Sequence, residues 1–114
     1  MASPEPAPAF DVTVQRRGAT LVATTYGELD LVSAPLLVAA LRSEDDYQRL
    51  VIDLREIGFM DSSGLRLLVA EQDRAEQHGY TLQLVRGGVE TSRLLRLTRL
   101  DEKLPFVDAD VLEE

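Results

Sequence analysis

Residues 50–54 read Leu-Val-Ile-Asp-Leu, and residues 59–65 read Phe-Met-Asp-Ser-Ser-Gly-Leu. The first run is apolar without alternation, which indicates a central strand covered on both faces, as in parallel sheets. A helix is predicted from about Ser62 to about His78, where Gly79 can end it. The second run therefore places two hydroxyls and one carboxylate at the start of a helix, directly after a sheet strand.

Two strands and a helix are predicted before this core region. Residues 10–15 and 21–26 alternate apolar and polar side chains, which is typical of half-buried strands joined as a hairpin. The segment Gly27-Glu28-Leu29-Asp30 is expected to end the second strand. Ser33 is expected to cap the next helix, with Pro35 tolerated in its first turn.

After residue 54 the same alternation of strands and helices continues. Residues 55–60 are predicted as a connector that includes a short extended piece. The elements expected beyond the long helix are a strand over 81–85, a helix over 90–97, an edge strand over 104–107 and the beginning of a helix over 108–114. The order β-β-α-β-α-β-α-β with a helical stub predicts an α/β fold, with a mixed sheet of four to five strands that is mostly parallel at its centre.

Composition limits the class of protein. A chain of 114 residues forms one domain, predicted over residues 10–114, and the proline-rich residues 1–9 are expected to be a disordered leader. The net charge of −8 argues against binding nucleic acid or an anionic membrane. No apolar run has the length needed for membrane insertion. The absence of cysteine excludes disulfides and thiolate zinc sites and fits a cytoplasmic location.

Two interpretations of the serine pair follow from the residues alone. Asp61, Ser62 and Ser63 can be ordinary cap residues, or they can form a phosphate site, because a helix start favours anions. Gly64 leaves no side chain over the helix start, so another molecule is expected to approach there. Catalysis by Ser62 is disfavoured, because the only histidine, His78, lies roughly 24 Å away along the helix. No metal site or cofactor is indicated.

A second group of polar residues lies near the end of the chain. Arg93, Arg96 and Arg99 recur every three residues and can line one helix face. One interpretation is a basic patch for an acidic partner or a phosphate. The preferred interpretation is a solvated face whose arginines pair with Asp101 and Glu102.

Three stretches of the chain resemble the STAS-domain anti-sigma factor antagonists of bacteria. They are Gly27-Glu28-Leu29-Asp30 after the second strand, Val51-Ile52-Asp53-Leu54 in the central strand, and Phe59-Met60-Asp61-Ser62-Ser63-Gly64-Leu65. Their spacing and the order of strands and helices also agree, so the resemblance covers about residues 10–112. It implies a STAS-like single domain, although the C-terminal helix is shorter than is usual in the family.

The resemblance implies a phosphorylation switch. Ser62 matches the phosphoacceptor, and Ser63 matches a second hydroxyl that is either supporting or a minor acceptor. The implied partners are an anti-sigma factor that is also a serine kinase, and a PP2C-type phosphatase, with the chain itself not an enzyme. Unphosphorylated protein would bind the anti-sigma factor and so release its sigma factor. The implied partner-binding residues are Asp30, Asp61, Ser62, Ser63, Gly64 and Leu65.

The same fold admits two other functions. One is a regulatory STAS subunit of a membrane transporter complex, which would co-purify with transporter subunits. The other is a small-ligand or nucleotide-binding module, whose ligand would raise the melting temperature. The oligomeric state is not indicated by the sequence.

Overall fold

The computed structural model describes residues 9–113. The predicted leader therefore lies outside the described residues except for Ala9. The carbonyl of Ala9 accepts a hydrogen bond of 2.7 Å from the amide of Glu28. Strand pairing begins at Phe10, opposite Gly27.

Residues 9–113 form five strands, three α-helices and a closing 3-10 helix. In chain order they are β1 Phe10–Arg17, β2 Thr20–Leu29, α1 Ala34–Arg42, β3 Arg49–Met60, α2 Ser62–His78, β4 Thr81–Val85, α3 Val89–Leu97, β5 Phe106–Val107 and the 3-10 helix Ala109–Glu113. The strands lie in the order β1-β2-β3-β4-β5. The pair β1–β2 is antiparallel and the other pairs are parallel, which confirms the predicted mixed α/β sheet.

The non-alternating central strand is explained by burial on both of its faces. Ile52 packs on the helical side, in one cluster with Leu37 of α1 and Leu68 of α2. Val51 faces the opposite way, and Leu112 of the 3-10 helix packs against its cluster. The prediction of a strand covered on both faces is confirmed, and the short 3-10 helix supplies the second cover.

The second and third strands are longer than the sequence pattern indicated. β2 continues through Gly27 and Glu28 and ends at Leu29, inside the segment that was predicted to end it. Residues 55–60 are not a connector but the second half of β3. Two irregularities in the β2–β3 register, after Thr24 and after Gly27, keep the strands paired as far as Leu29 opposite Met60. Such bulges absorb an extra residue without ending the ladder.

The C-terminal region also departs from prediction. The expected edge strand is shorter, because it begins at Phe106, directly after Pro105, which has no amide to donate. The carbonyl of Pro105 still accepts the amide hydrogen of Leu84 at 3.0 Å. The expected final helix is a 3-10 segment. Within residues 9–113, no helix is both long enough and apolar enough to span a bilayer.

Candidate functional site

The site lies where β2 and β3 end side by side. Leu29 and Met60 are the last paired residues of the two strands, and Asp30 and Asp61 follow directly. The amide of Asp61 donates to the carbonyl of Leu29 at 3.2 Å. The two aspartates named from the sequence are therefore brought to adjacent positions at the carboxyl edge of the parallel strands, the usual edge for sites in α/β sheets.

Asp61 caps helix α2, as predicted. Its backbone is extended, and its carboxylate oxygen Oδ1 accepts from the amides of Ser63 at 2.8 Å and Gly64 at 3.3 Å. These amides would otherwise lack partners, because the first turn of a helix has no preceding carbonyls. The negative charge also lies at the positive end of the helix dipole.

The two serines differ in accessibility. Ser62 is exposed, and within residues 9–113 its hydroxyl has no hydrogen-bond partner. Ser63 is half-buried, and its Oγ accepts from Nη2 of Arg66 at 3.4 Å. Ser62 therefore presents the freer hydroxyl to an approaching molecule.

Asp30 organises the turn before α1. Its Oδ1 accepts from the amides of Val32 and Ser33, each at 3.0 Å. The hydrogen bond from the Ser33 amide is the main cause that holds the pKa of Asp30 below its ordinary value. Ser33 occupies the N-cap position of α1, as predicted, but its side chain does not cap the helix: the hydroxyl donates to the carbonyl of Glu28 at 2.7 Å and makes no bond to the helix amides.

Gly64 and Leu65 face the interior. A Cβ atom on Gly64 would lie 2.6 Å from Cγ of Met60 and 2.8 Å from the carbonyl oxygen of Leu29. The expectation that another molecule approaches Gly64 is therefore wrong, because the close approach is to the protein's own sheet. The side chain of Leu65 is 7% exposed and belongs to the core. Both residues position the helix start without presenting a surface.

Three exposed apolar residues lie close in sequence to Asp30 and Asp61. Leu31 is 72% exposed, Val32 80% and Phe59 51%. Leu31 and Ser63 line the same groove between α1 and α2, while Phe59 lies just before Asp61. We call Leu31, Val32 and Phe59 the apolar rim. Sequence reasoning missed it, although an apolar pair inside a turn was a usable signal.

Arg93 and Arg96 lie on α3, but Arg99 lies beyond its end, so the three arginines do not share one helix face. Within the described residues neither Arg93, Arg96 nor Arg99 is paired with Asp101 or Glu102. All three arginines are exposed, so the solvated part of the preferred interpretation is confirmed, whereas its ion pairs are wrong. The basic patch stays a prediction. Arg93 lines a shallow groove with Phe59, so the patch adjoins the apolar rim.

Among residues 9–113, no side chain forms a hydrogen bond with the hydroxyl of Ser62. His78 lies at the opposite end of α2, where its Nδ1 is 3.0 Å from the carbonyl oxygen of Arg74. A nucleophilic serine needs a base within hydrogen-bond distance. The described residues therefore give no support for Ser62 as a catalytic nucleophile.

The fold and the site define a small α/β domain with an accessible serine at a capped helix start. The STAS domain family matches residues 11–111, and the chain belongs to that family. It is 34% identical over 93 residues to the anti-sigma-F factor antagonist RsfB of Mycobacterium tuberculosis, spanning 80% of this chain and 75% of that protein.

Solved structures agree with this assignment. A crystal structure of an anti-sigma factor antagonist from Mycobacterium paratuberculosis has a TM-score of 0.77 at 32% identity, covering 88% of this chain and 87% of the other. The anti-sigma factor antagonist SpoIIAA of Bacillus, at 18% identity, shares the fold. Its unphosphorylated form has a TM-score of 0.73, covering 87% of this chain and 88% of the other. Its phosphorylated form has a TM-score of 0.67, covering 87% and 91%.

Proposed function

We propose that this chain is an anti-sigma factor antagonist that is switched by phosphorylation of Ser62. In its unphosphorylated form it binds an anti-sigma factor that is also a serine kinase, and so releases the sigma factor. The observation that carries the proposal is the hydroxyl of Ser62, which is exposed at a capped helix start and has no hydrogen-bond partner among residues 9–113, close in sequence to the apolar rim.

The relatives support this function. RsfB and the protein from Mycobacterium paratuberculosis are both described as anti-sigma factor antagonists. SpoIIAA has been solved in a phosphorylated form, so a protein of this fold carries such a modification. The residues that implied the family from sequence, Asp30 and Asp61 to Ser63, lie together at one edge of the sheet.

Docking would draw on apolar burial and on charge. Covering an exposed Leu or Val side chain contributes about 1.5–3 kcal/mol, so the apolar rim offers a substantial part of a protein–protein affinity. Asp30 and Asp61 lie beside it and present carboxylates to a partner. A net charge of −8 favours a partner surface that is basic.

Phosphorylation would end this contact. A phosphate adds about −1.5 to −2 charges at neutral pH, next to the carboxylate of Asp61. A partner that packs over Ser62 would have to bury this charge, which costs several kcal/mol and corresponds to a loss of affinity of about a hundredfold or more. A PP2C-type phosphatase would restore the binding form.

The test uses the purified chain with the anti-sigma factor of its own cell, by calorimetry, with ATP omitted. We expect Ser62→Ala to bind like wild type and Ser62→Glu to bind about a hundredfold more weakly. Gln77→Glu is the matched control, because it adds the same charge at the exposed far end of α2 and should bind normally. Thermal unfolding of all variants should remain within about 3 °C.

The second half of the test adds ATP. Mass spectrometry should find phosphate on Ser62 in wild type and none on Ser62→Ala. Wild-type affinity in Ser62→Glu would contradict the switch. Phosphate on Ser63 in the Ser62→Ala variant would show that the second hydroxyl is also an acceptor.

A further inference from the structure

A phosphate on Ser62 would be stabilised by cations or hydrogen-bond donors, but most backbone amides at the start of α2 are already hydrogen-bonded. Asp61 already takes three of the first four amides of α2. Its Oδ1 accepts from Ser63 and Gly64, and its carbonyl accepts from Leu65 at 3.2 Å. The phosphate could use these amides only by displacing the cap.

Arg66 is the cation nearest to this turn along the chain. It follows Ser62 by four residues, so both side chains lie on one face of the helix. Its guanidinium already reaches back over the first turn, since Nη2 contacts Oγ of Ser63 at 3.4 Å. Arg66 is exposed and forms no ion pair with a described residue.

We infer that Arg66 is the built-in counter-ion of phosphorylated Ser62. The inference rests on the proposed function, because it takes Ser62 as the phosphoacceptor. On phosphorylation the guanidinium leaves the hydroxyl of Ser63 and donates to the phosphate oxygens, where charge-assisted bonds are stronger. Asp61 then keeps its amides and the helix start keeps its structure.

This pairing has a consequence for the switch. In the unmodified protein Arg66 is a surface cation beside Ser63 and the groove between α1 and α2. In the phosphorylated protein the guanidinium of Arg66 pairs with the phosphate on Ser62 and is no longer available to a partner. A docked partner would therefore meet two changes together: an added anion at Ser62 and the loss of an available cation at Arg66.

The test installs phosphoserine at position 62 during synthesis, by codon reassignment, so that it depends on no kinase. The pKa of the phosphate is measured by ³¹P NMR titration in wild type and in Arg66→Gln, Arg66→Lys and Arg96→Gln. Arg96 is the matched control, since it is also exposed and unpaired within the described residues. Melting temperatures of the unphosphorylated variants confirm that all are folded.

We expect the phosphate pKa in wild type to lie about 0.3 pH units below that of Arg66→Gln at low salt. Arg66→Lys should keep most of this difference, Arg96→Gln should match wild type, and high salt should remove the effect. Equal pKa values in wild type and Arg66→Gln would overturn the inference. So would an equal rise in Arg96→Gln, which would indicate only the overall charge.

Amide NMR gives an independent readout. If Arg66 holds the phosphate, the amide resonances of Ser63 and Gly64 should stay near their unphosphorylated positions while the Arg66 side-chain resonance moves. Large shifts of both amides with a static Arg66 would mean that the phosphate displaces Asp61, and would overturn the inference. Since phosphoserine is incorporated during translation, these results are separate from whether an anti-sigma factor kinase modifies Ser62.

Discussion

The carboxylate of Asp61 accepts the amide hydrogen of Ser63 at 2.8 Å, across the residue whose hydroxyl is exposed. The amide of Asp61 also donates to Leu29 of the neighbouring strand. One residue thus ties the start of α2 to the end of β2. Ser62 lies directly after this junction, so its backbone is held on both sides while its side chain is left free.

Replacing Asp61 should weaken the fold through loss of the cap. We expect Asp61→Ala to lower the free energy of unfolding by about 1 kcal/mol, measured by urea denaturation. Asp61→Asn should lose less, because the amide oxygen can still accept from Ser63. Asp73→Ala is the control, as an exposed acidic residue in the same helix without a hydrogen bond in the described residues. Equal stability of Asp61→Ala and wild type would refute the capping role.

Gly64 should be intolerant of any side chain. A Cβ at this position would lie 2.8 Å from the carbonyl oxygen of Leu29, and backbone cannot move as easily as a side-chain end. We expect Gly64→Ala to lower the free energy of unfolding by about 1–3 kcal/mol. Gly58→Ala in β3 has nothing within 4 Å of the added atom and should change stability by less than about 0.5 kcal/mol. Comparable effects in both variants would contradict the steric explanation.

Local chemistry made α2 predictable from the sequence. The helix runs from Ser62 to His78, the bounds that the sequence indicated. Asp61 can satisfy the first amides, and Gly79 takes the left-handed conformation at φ +76° that ends the helix. Both signals act within a few residues, so they needed no knowledge of the rest of the fold.

Features that depend on distant partners were not predictable in the same way. The full length of β3 is set by its pairing with β2 across two register irregularities. Glu71 is only 2% exposed, yet its partner Arg42 is on another helix. The exposure of Phe59 follows from where β3 ends rather than from its own type. Sequence periodicity reflects only the spacing of nearby residues, so it holds no information on contacts between distant segments.

Removing one partner of the buried ion pair between Glu71 and Arg42 should lower stability more than replacing both partners. The guanidinium meets both carboxylate oxygens, at 2.5 and 3.3 Å, and is itself a third exposed. Arg42→Met would leave a buried carboxylate uncompensated, and we expect a loss of about 3 kcal/mol in urea denaturation.

The double variant Arg42→Met with Glu71→Leu is the decisive comparison for this pair. It should recover most of the lost stability, because an apolar pair of similar size has no charge to compensate. If the double variant were as unstable as Arg42→Met, packing rather than the uncompensated charge of Glu71 would be the cause.

Tyr80 should make stability fall at high pH. Burial raises the pKa of Tyr80 from 10.0 to about 12, because the charged phenolate is disfavoured there. The folded state therefore favours the neutral form, so this contribution to stability is complete below pH 10.0 and is lost as the pH rises towards 12.

Ultraviolet titration of the phenolates should show one late step that Tyr80→Phe removes. Tyr26→Phe, at a residue 40% exposed, should leave that step in place. Tyr80→Phe should change the free energy of unfolding at neutral pH by less than about 1.5 kcal/mol, because it removes at most one hydrogen-bonding hydroxyl. A late step that persists in Tyr80→Phe would assign the raised pKa to another tyrosine.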